Sequence, residues 1–240
     1  MLFKTRNGYT DRVSKARYVW EKYKPILHSR RILDVGADEQ HLRQHIDSEA
    51  EYVGIGLGGS PDHQVNLERE AIPFGDGSFD CVLCLDVLEH LDNPHEVFDE
   101  LCRVTRSHVI ISLPNPWGDM FRMLRFGPYR PDFPLKFYGL PPEPPEDRHK
   151  WFFSAQEARA FIEARAVRNG LEVLQLDREG EGVNIARGVR NRLRRGLYRK
   201  LFHESVDLDS LMGGPTWAVL EKIKGRTSVE VVGSGVTSHA

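Results

Sequence analysis

Apolar positions along the chain form two kinds of pattern. Short continuous runs, rich in β-branched residues and leucine and bounded by glycine, proline or polar residues, predict buried strands. These runs cover residues 31–35, 52–55, 79–85, 108–113, 171–176 and 216–223. Longer stretches with apolar residues three or four positions apart predict helices over residues 11–28, 38–46, 94–104 and 154–167.

The order of these elements predicts the fold class. Strands are separated by helices, which implies right-handed crossovers and a mostly parallel sheet. The run FDCVLCL at residues 79–85 is apolar on both faces, as a central strand is. We therefore predict an α/β fold with a doubly wound sheet and helices on both faces. Residues 1–224 are predicted to form one domain, followed by a flexible tail over residues 225–240.

Composition narrows the classes of function. The chain has 240 residues, 40% of them hydrophobic, which is enough for a core, and its net charge of -2 predicts no nucleic-acid partner. No run approaches the roughly 20 apolar residues of a membrane span, and the polar start MLFKTRNGYTDR lacks the apolar stretch of a signal peptide. We therefore expect a cytoplasmic protein.

The three cysteines do not indicate a metal centre. Cys81 and Cys84 lie within a predicted strand, and Cys102 lies within a predicted helix. A zinc site needs a second pair of ligands, and none is suitably spaced. We interpret the cysteines as packed core residues and predict no metal site.

A glycine turn follows the first predicted strand. The sequence RILDVGADEQ runs from strand through Asp34 and Gly36 into the predicted helix over residues 38–46. Strand, tight turn and helix form the nucleotide-binding geometry of doubly wound proteins. Gly36 would let the backbone approach a ligand closely, so this turn is the first candidate for a cofactor site.

Four segments in succession resemble one family. The segments ILDVG, YVGIGL, IPFGDGSFDCVLCLDVLEHL and ELCRVTRSHVIISLPNP resemble class I S-adenosylmethionine-dependent methyltransferases, in particular the small-molecule branch that includes ubiquinone-biosynthesis-type enzymes. The resemblance covers residues 31–116 well and the later elements in outline. It implies S-adenosylmethionine as the cofactor and a Rossmann-like sheet of seven strands. The last strand, residues 216–223, is then antiparallel and lies between its neighbours.

The resemblance also implies a cofactor site beyond the carboxyl ends of the strands. Asp34 could anchor the turn or reach the cofactor's amino group through water, and the next helix N-terminus would favour the methionine carboxylate. Two leucines could flank the adenine, an asparagine oxygen could accept its amino group, and the end of the third predicted strand would line the methionine side. The implied cofactor-binding residues are Asp34, Gly36, Ala37, Asp38, Gly56, Leu57, Asn66, Leu67, Cys84 and Leu85.

Three positions depart from the family pattern. The family has glycine where this chain has Asp38 and Gln40, and an acid that accepts both ribose hydroxyls where this chain has Gly56. Loss of that acceptor should weaken binding by roughly 1–3 kcal/mol, unless Asp38, Glu39 or Asp62 substitutes. The alternative function is therefore a methyltransferase-fold binding or scaffold protein that has lost its cofactor.

The segment LDVLEHL supplies candidate chemistry. Asp86 falls just after a strand end, and His90 follows within a turn. Methyl transfer to a hydroxyl benefits from a nearby base, and His90 or His149 could act as that base. His90 could equally hold the loop through a hydrogen bond. The favoured prediction is O-methylation of a small-molecule, sugar or lipid-linked acceptor, with Asp86, His90 and His149 as catalytic candidates.

Two insertions interrupt the predicted fold. Residues 114–152 are rich in proline and aromatic residues and predict either a substrate-binding lid or a self-packed surface subdomain. The second insertion, residues 180–212, contains a helix at 185–202 with a basic face and an apolar stripe. That helix could contact an anionic membrane as a peripheral module, bind a phosphorylated substrate, or dock on the sheet with its arginines solvated.

Overall fold

The computed structural model describes residues 2–126, 138–139, 142–145, 147–179, 185–204, 206 and 208–223. The predicted tail over residues 225–240 lies outside the described residues. The same holds for two aromatic residues of the predicted lid, Tyr129 and Phe137.

Seven strands and six α-helices are present among the described residues. The strands are β1 (Arg31–Val35), β2 (Glu51–Gly56), β3 (His63–Gln64), β4 (Phe79–Leu85), β5 (Thr105–Leu113), β6 (Leu171–Arg178) and β7 (Thr216–Lys222). The helices are α1 (Arg12–Leu27), α2 (Pro94–Val104), α3 (Pro116–Phe126), α4 (Ala155–Arg168), α5 (Ile185–Leu201) and α6 (Leu208–Met212). Short 3-10 helices span Arg43–His45 and Leu88–His90.

The strands form one sheet in the order β3-β2-β1-β4-β5-β7-β6. Strands β1 to β5 pair in parallel, and β7 is antiparallel to both β5 and β6. The predicted α/β fold, the seven strands and the antiparallel last strand between its neighbours are confirmed. Among the strands, the hydrophobic pattern missed only β3, because two exposed edge residues leave no periodic signal.

The predicted helix over residues 38–46 is wrong. Turns occupy this segment, and only Arg43–His45 is helical, as a 3-10 turn. Asp38 and Gln40 have φ values of 49° and 53°, which an α-helix cannot include. The segment is held as a loop by side-chain contacts to the loop after β2. The predicted helix N-terminus for the methionine carboxylate is therefore also absent from this segment.

Two helices begin with a side-chain cap. Asp11 and Ser154 each accept a hydrogen bond from the third residue of their helix, and both complete a capping box. Asn93 precedes α2, but its side chain makes no cap. It donates instead to the carbonyl oxygen of Leu67 at 3.0 Å. Asn93 therefore ties α2 to the loop before β4.

Side chains from alternate strand positions build two core layers. On one face, α2 and α4 pack against Leu33, Val82 and Ile111. On the other face, α1 packs against Ile32 and Leu83. This alternation fixes the register of the sheet, because a slip by one residue would exchange the two layers.

The two predicted insertions pack against each other. Trp117 and Phe121 of α3 contact a cluster formed by Tyr198 of α5 and Leu208 and Leu211 of α6. This result favours the predicted self-packed subdomain for the described part of residues 114–152.

The insertions are also joined by hydrogen bonds. The Asn115 side chain donates to the carbonyl oxygens of Ser210 and Gly213 at 2.7 and 2.9 Å. Because Asn115 follows β5 directly, this subdomain borders the carboxyl edge of the parallel strands.

Candidate active site

The turn after β1 keeps a glycine-like backbone with larger side chains in place. Gly36 has a φ of 77°, and the N–H groups of Gly36 and Ala37 both donate to Ile55 O, at 2.8 and 3.1 Å. A Cβ at Gly36 would lie 2.3 Å from Val87 Cγ2, so this position accepts only glycine without movement. Asp38 and Gln40 follow in the left-handed region that glycine favours. The turn therefore retains its shape where its sequence departs from the family pattern.

Two side chains of this turn form an ion pair or hydrogen bonds with neighbouring residues. The Asp38 carboxylate pairs with Arg12 of α1, so its charge is neutralised locally. Gln40 donates to Ser60 O at 2.5 Å and accepts from Arg43. The two side chains that the sequence places in the way of a cofactor thus have partners at the rim of the turn.

The loop after β2 lies against the same turn. The Ser60 N–H donates to Asp38 O at 2.9 Å, and Gly59 packs so closely on Asp38 that a Cβ would meet its backbone at 2.3 Å. At Gly56 a Cβ would lie 3.5 Å from Gly36 Cα, which is ordinary contact. Leu57 is 64% exposed beside it.

Asp62, a proposed substitute for the missing ribose acid, is engaged elsewhere. Its carboxylate accepts from Gly54 N at 2.7 Å and pairs with Arg43. Asp38 is likewise paired with Arg12. Glu39 is exposed next to the turn. Of the three predicted substitutes, Glu39 is the one for which the structure shows no charged partner among the described residues.

Asp34 lies at the end of β1 and is buried. Its carboxylate accepts a hydrogen bond from the hydroxyl of Tyr52 in β2. Burial raises the pKa of Asp34 to about 6, although Tyr52 and Lys15 act in the opposite direction. Asp34 therefore anchors the β1–β2 edge directly.

Asp86 follows β4 with a φ of 57° and is held by an ion pair. Lys15 Nζ of α1 donates to Asp86 Oδ2 at 2.7 Å, and Ser112 Oγ donates to Oδ1 at 2.5 Å. Burial alone would raise the pKa of Asp86, but Lys15 and Ser112 hold it below its ordinary value. Asp86 is thus an ionised, positioned carboxylate and has little capacity as a base near neutral pH.

The remaining predicted cofactor residues lie in two environments. Asn66 Oδ1 accepts from Glu68 N at 3.1 Å, and Leu67 is buried in the core layer under α2. Cys84 is fully buried in that same layer, whereas Leu85 is half-buried at the end of β4. Burial raises the pKa of the Cys84 thiol far above its ordinary value. The Cys84 side chain therefore packs as a core residue, and the backbone at the end of β4 reaches the edge.

His90 and His149 meet in space although they are distant in sequence. Their ring centroids lie 4.5 Å apart, edge to face. His90 Nδ1 lies 2.6 Å from Asp147 Oδ1, and His149 Nδ1 lies 2.8 Å from the Tyr138 hydroxyl. Burial and the neighbouring His90 lower the pKa of His149 to about 4, so its imidazole is neutral at physiological pH.

Glu89 lies between the two histidines and is fully buried. Burial, assisted by Asp86, raises the pKa of Glu89 well above its ordinary value. Glu89 also lines a cavity of about 260 Å³, whose wall is otherwise mostly apolar and aromatic. Its lining residues include Leu88, His95, Leu113, Trp151, Phe152 and Phe161.

Sequence reasoning missed three residues of this site: Lys15, Tyr52 and Glu89. Lys15 lies within a predicted helix, and nothing in its local sequence indicates that its side chain reaches Asp86. Tyr52 stands one strand away from Asp34, opposite Ile32 in the register. For Glu89 the sequence held an indication, because an acidic residue in an apolar segment just after a strand end tends to become buried.

The chain is similar in sequence to one family model and in structure to several solved proteins. Residues 44–113 match the family model described as a methyltransferase domain. A comparison with curated protein sequences finds no match. Among solved structures, a SAM-dependent methyltransferase from Archaeoglobus fulgidus is similar with a TM-score of 0.56 and 15% identity, covering 88% of this chain and 95% of that one. The 4+2 cyclase SpnF is similar with a TM-score of 0.50 and 13% identity, covering 88% and 81%.

These similarities establish the Rossmann-like methyltransferase fold. The family match and the fold together support S-adenosylmethionine as the cofactor. A cyclase on the same fold shows that the architecture alone does not define the reaction. The function must therefore be inferred from the residues at the carboxyl ends of the parallel strands.

Proposed function

We propose that the protein is an S-adenosylmethionine-dependent methyltransferase that transfers the methyl group to a hydroxyl oxygen. The acceptor is a small-molecule, sugar or lipid-linked compound. The observation that carries the proposal is the retained turn after β1, with Gly36 at a φ of 77° beside Gly56 and Asp86. These positions lie at the carboxyl ends of β1, β2 and β4, where ligands of doubly wound sheets bind.

Asp38 and Gln40, which stand where the family has glycine, are less of an obstacle to cofactor binding in the structure than in the sequence. Asp38 and Gln40 keep the backbone of a glycine turn, and their side chains are paired at its rim. Gly56 still offers no acid for the ribose, so the proposed affinity is moderate. The runner-up function, a scaffold that has lost the cofactor, differs from our proposal in predicting no binding at all.

The base proposed for the acceptor is a neutral histidine. His149 is held by Tyr138 and His90 is held by Asp147, and the low pKa of His149, about 4, makes His149 a weak base. His90 lies in the 3-10 turn that follows β4 and Asp86, and the His149 ring packs against it. A hydroxyl proton has to be removed as the methyl group is transferred, and a positioned imidazole can accept it. Asp86 has the role of a positioning group through its contacts with Lys15 and Ser112.

Cofactor binding is the direct test. Titration calorimetry of the purified protein should show micromolar binding of S-adenosylmethionine and of its demethylated product. Gly36→Ala should weaken both at least about tenfold, because a left-handed alanine costs about 1–2 kcal/mol and its Cβ forces the turn away from Val87.

Gly196→Ala is the matched control. Gly196 lies in α5, and a Cβ there meets no atom within 4 Å. It should leave the affinity unchanged. Absence of heat with either ligand in the wild-type protein would overturn the proposal and favour the scaffold function.

An exposed stripe on α5 favours a lipid surface as a partner. Leu193, Leu197 and Leu201 are 74%, 56% and 66% exposed and recur every four residues. These three leucines do not pack on the sheet, and α5 packs against α3 and α6 through Tyr198 instead. Arg192, Arg199 and Lys200 are exposed on the same helix. We infer that α5 lies on an anionic membrane surface, which suits a lipid-linked acceptor.

Among the described residues, no helix is both long and apolar enough to cross a bilayer. Flotation with phosphatidylserine-containing vesicles should recover the protein. Changing Arg192, Arg199 and Lys200 to glutamine should weaken partitioning by roughly 100-fold, at about 1 kcal/mol for each charge. The equivalent changes at Arg17, Arg159 and Arg168, exposed on α1 and α4, serve as the control. Equal flotation of both triple variants would exclude this surface.

A further inference from the structure

Glu89 is a buried carboxyl group without a hydrogen-bonding partner from any other described residue. It is 1% exposed, and neither carboxylate oxygen accepts a hydrogen bond from another described residue. Buried carboxylates normally have donors, ion partners or a metal, because an unpaired one is costly to desolvate. Glu89 therefore requires an explanation beyond packing.

Two imidazoles face this carboxylate. His90 Nε2 lies 3.8 Å and His149 Nε2 lies 4.0 Å from Glu89 Oε1. These distances are too long for hydrogen bonds. The three potential ligand atoms all lie within 4.8 Å of one another. They surround a common point that none of them fills.

Each imidazole is oriented by a second residue. His90 Nδ1 is paired with Asp147 Oδ1 at 2.6 Å, and His149 Nδ1 with the Tyr138 hydroxyl at 2.8 Å. In both rings Nε2 is the atom turned toward Glu89. Histidines that bind metals almost always use the other ring nitrogen for such a contact, which fixes the tautomer and the ring plane.

The backbone brings the two segments together independently of these side chains. Lys150 N–H donates to Glu89 O at 2.8 Å, and Trp151 Nε1 donates to Leu91 O at 2.7 Å. Lys150 Nζ also pairs with Asp92 at 2.8 Å. The segment that carries His149 is thus fastened along the loop that carries Glu89 and His90, so the cluster is preformed.

We propose that Glu89, His90 and His149 bind a divalent transition-metal ion, with Asp147 and Tyr138 as positioning residues. Two imidazoles and one carboxylate suit zinc and its first-row neighbours, and three protein ligands leave a coordination position open. Ligands of tetrahedral zinc lie about 3.4 Å apart at bond lengths of about 2.0–2.1 Å. The two imidazole–carboxylate separations of 3.8 and 4.0 Å need contractions of about 0.4 and 0.6 Å to reach that value, and the separation of the two imidazole nitrogens, within 4.8 Å, needs at most about 1.4 Å.

This site departs from the absence of a metal centre that the sequence predicted. That prediction considered ligand pairs spaced along the chain, whereas these ligands come from the loop after β4 and the segment before α4. Binding of the ion does not depend on methyl transfer. One consequence does rest on the proposed function: a bound ion would lower the pKa of a coordinated hydroxyl and so replace the histidine base.

The test uses the full chain, stripped with a chelator and dialysed. Titration with zinc chloride against a chromophoric chelator should show about one equivalent bound with micromolar or tighter affinity. Glu89→Gln and His149→Ala should each weaken binding at least about tenfold, and Tyr138→Phe about tenfold. His28→Ala is the matched control, because His28 forms a comparable imidazole–carboxylate pair with Asp47 on the surface. It should leave the affinity unchanged.

A spectroscopic measurement on the wild-type protein tests the site without relying on the variants being folded. Cobalt(II) bound at this site should give ligand-field bands without a thiolate charge-transfer band, since the three cysteines are buried and none belongs to the Glu89, His90 and His149 cluster. A thiolate band, the absence of stoichiometric zinc binding, or equal binding by folded Glu89→Gln and His149→Ala proteins would each overturn the proposal. Zinc binding without S-adenosylmethionine binding would instead reject the proposed function and leave the metal site standing.

Discussion

Lys22→Met is expected to lower the free energy of unfolding by about 3–5 kcal/mol. Lys22 of α1 is 3% exposed, and its Nζ donates to both carboxylate oxygens of Asp177 in β6, at 3.0 and 2.9 Å. The ammonium group also lies 5.5 Å from the centre of the buried Trp217 ring. Removing it leaves Asp177 as an uncompensated charge in the core, which is the costly half of a broken buried ion pair. Urea denaturation at neutral pH measures the change.

Two further variants separate this effect from ordinary loss of packing. Combining Lys22→Met with Asp177→Leu removes both charges and should recover most of the stability, since a buried pair contributes little beyond a well-packed apolar pair. Arg17→Met breaks an exposed pair with Glu21 on the same helix and should cost less than about 1 kcal/mol. If Lys22→Met were no more destabilising than Arg17→Met, the buried pair would not be formed in solution.

Asp34→Asn is expected to stabilise the protein above pH 6, by an amount approaching 3 kcal/mol. The folded state raises the pKa of Asp34 from 3.8 to about 6, chiefly by burial. The folded protein therefore binds this proton more tightly than the unfolded chain does. Stability is lost as pH rises from about 4 to 6, and a difference of about two pKa units corresponds to about 3 kcal/mol. An asparagine oxygen can still accept from Tyr52 while carrying no charge.

The measurement is a series of unfolding curves for both proteins between pH 4 and pH 8. The gain should be small near pH 4, where the wild-type carboxyl group is mostly protonated, and should level off above pH 6. Asp80→Asn is the control with the opposite sign, because Arg106 and Arg31 hold the pKa of Asp80 below its ordinary value. A pH-independent difference between wild type and Asp34→Asn would contradict this account. A stabilising loss of charge at the end of β1 would suggest that Asp34 is kept for the cofactor.

Local patterns determined most of the sheet. Continuous apolar runs such as 79–85 can only be buried strands, and alternation with helical spacing then implies parallel pairing. The same patterns failed at residues 38–46, where the sequence has helical spacing but the backbone adopts turns. Contacts from Arg12 and Ser60 to this segment hold those turns, and neither contact follows from local periodicity.

The sequence predicted individual residues of the candidate site but not the contacts between them. Asp34 lies at the end of a strand, Gly36 and Asp86 follow strand ends, and their shared edge follows from parallel pairing. Their partners do not: Lys15 reaches Asp86 from α1, and Tyr52 reaches Asp34 from the neighbouring strand. These contacts change the ionisation of both carboxyl groups, so their chemistry depends on tertiary structure.

By itself, the sequence determined the α/β class, the antiparallel last strand implied by the methyltransferase resemblance, and the turn where a cofactor is expected. These features depend on periodicity and on short motifs, which are local properties of the chain. The tertiary structure alone decided that the described parts of the two insertions pack against each other, that Leu193, Leu197 and Leu201 of α5 face outward, and that Glu89 lies close to His90 and His149. Each of these depends on residues far apart in the chain, whose meeting is set by packing and burial.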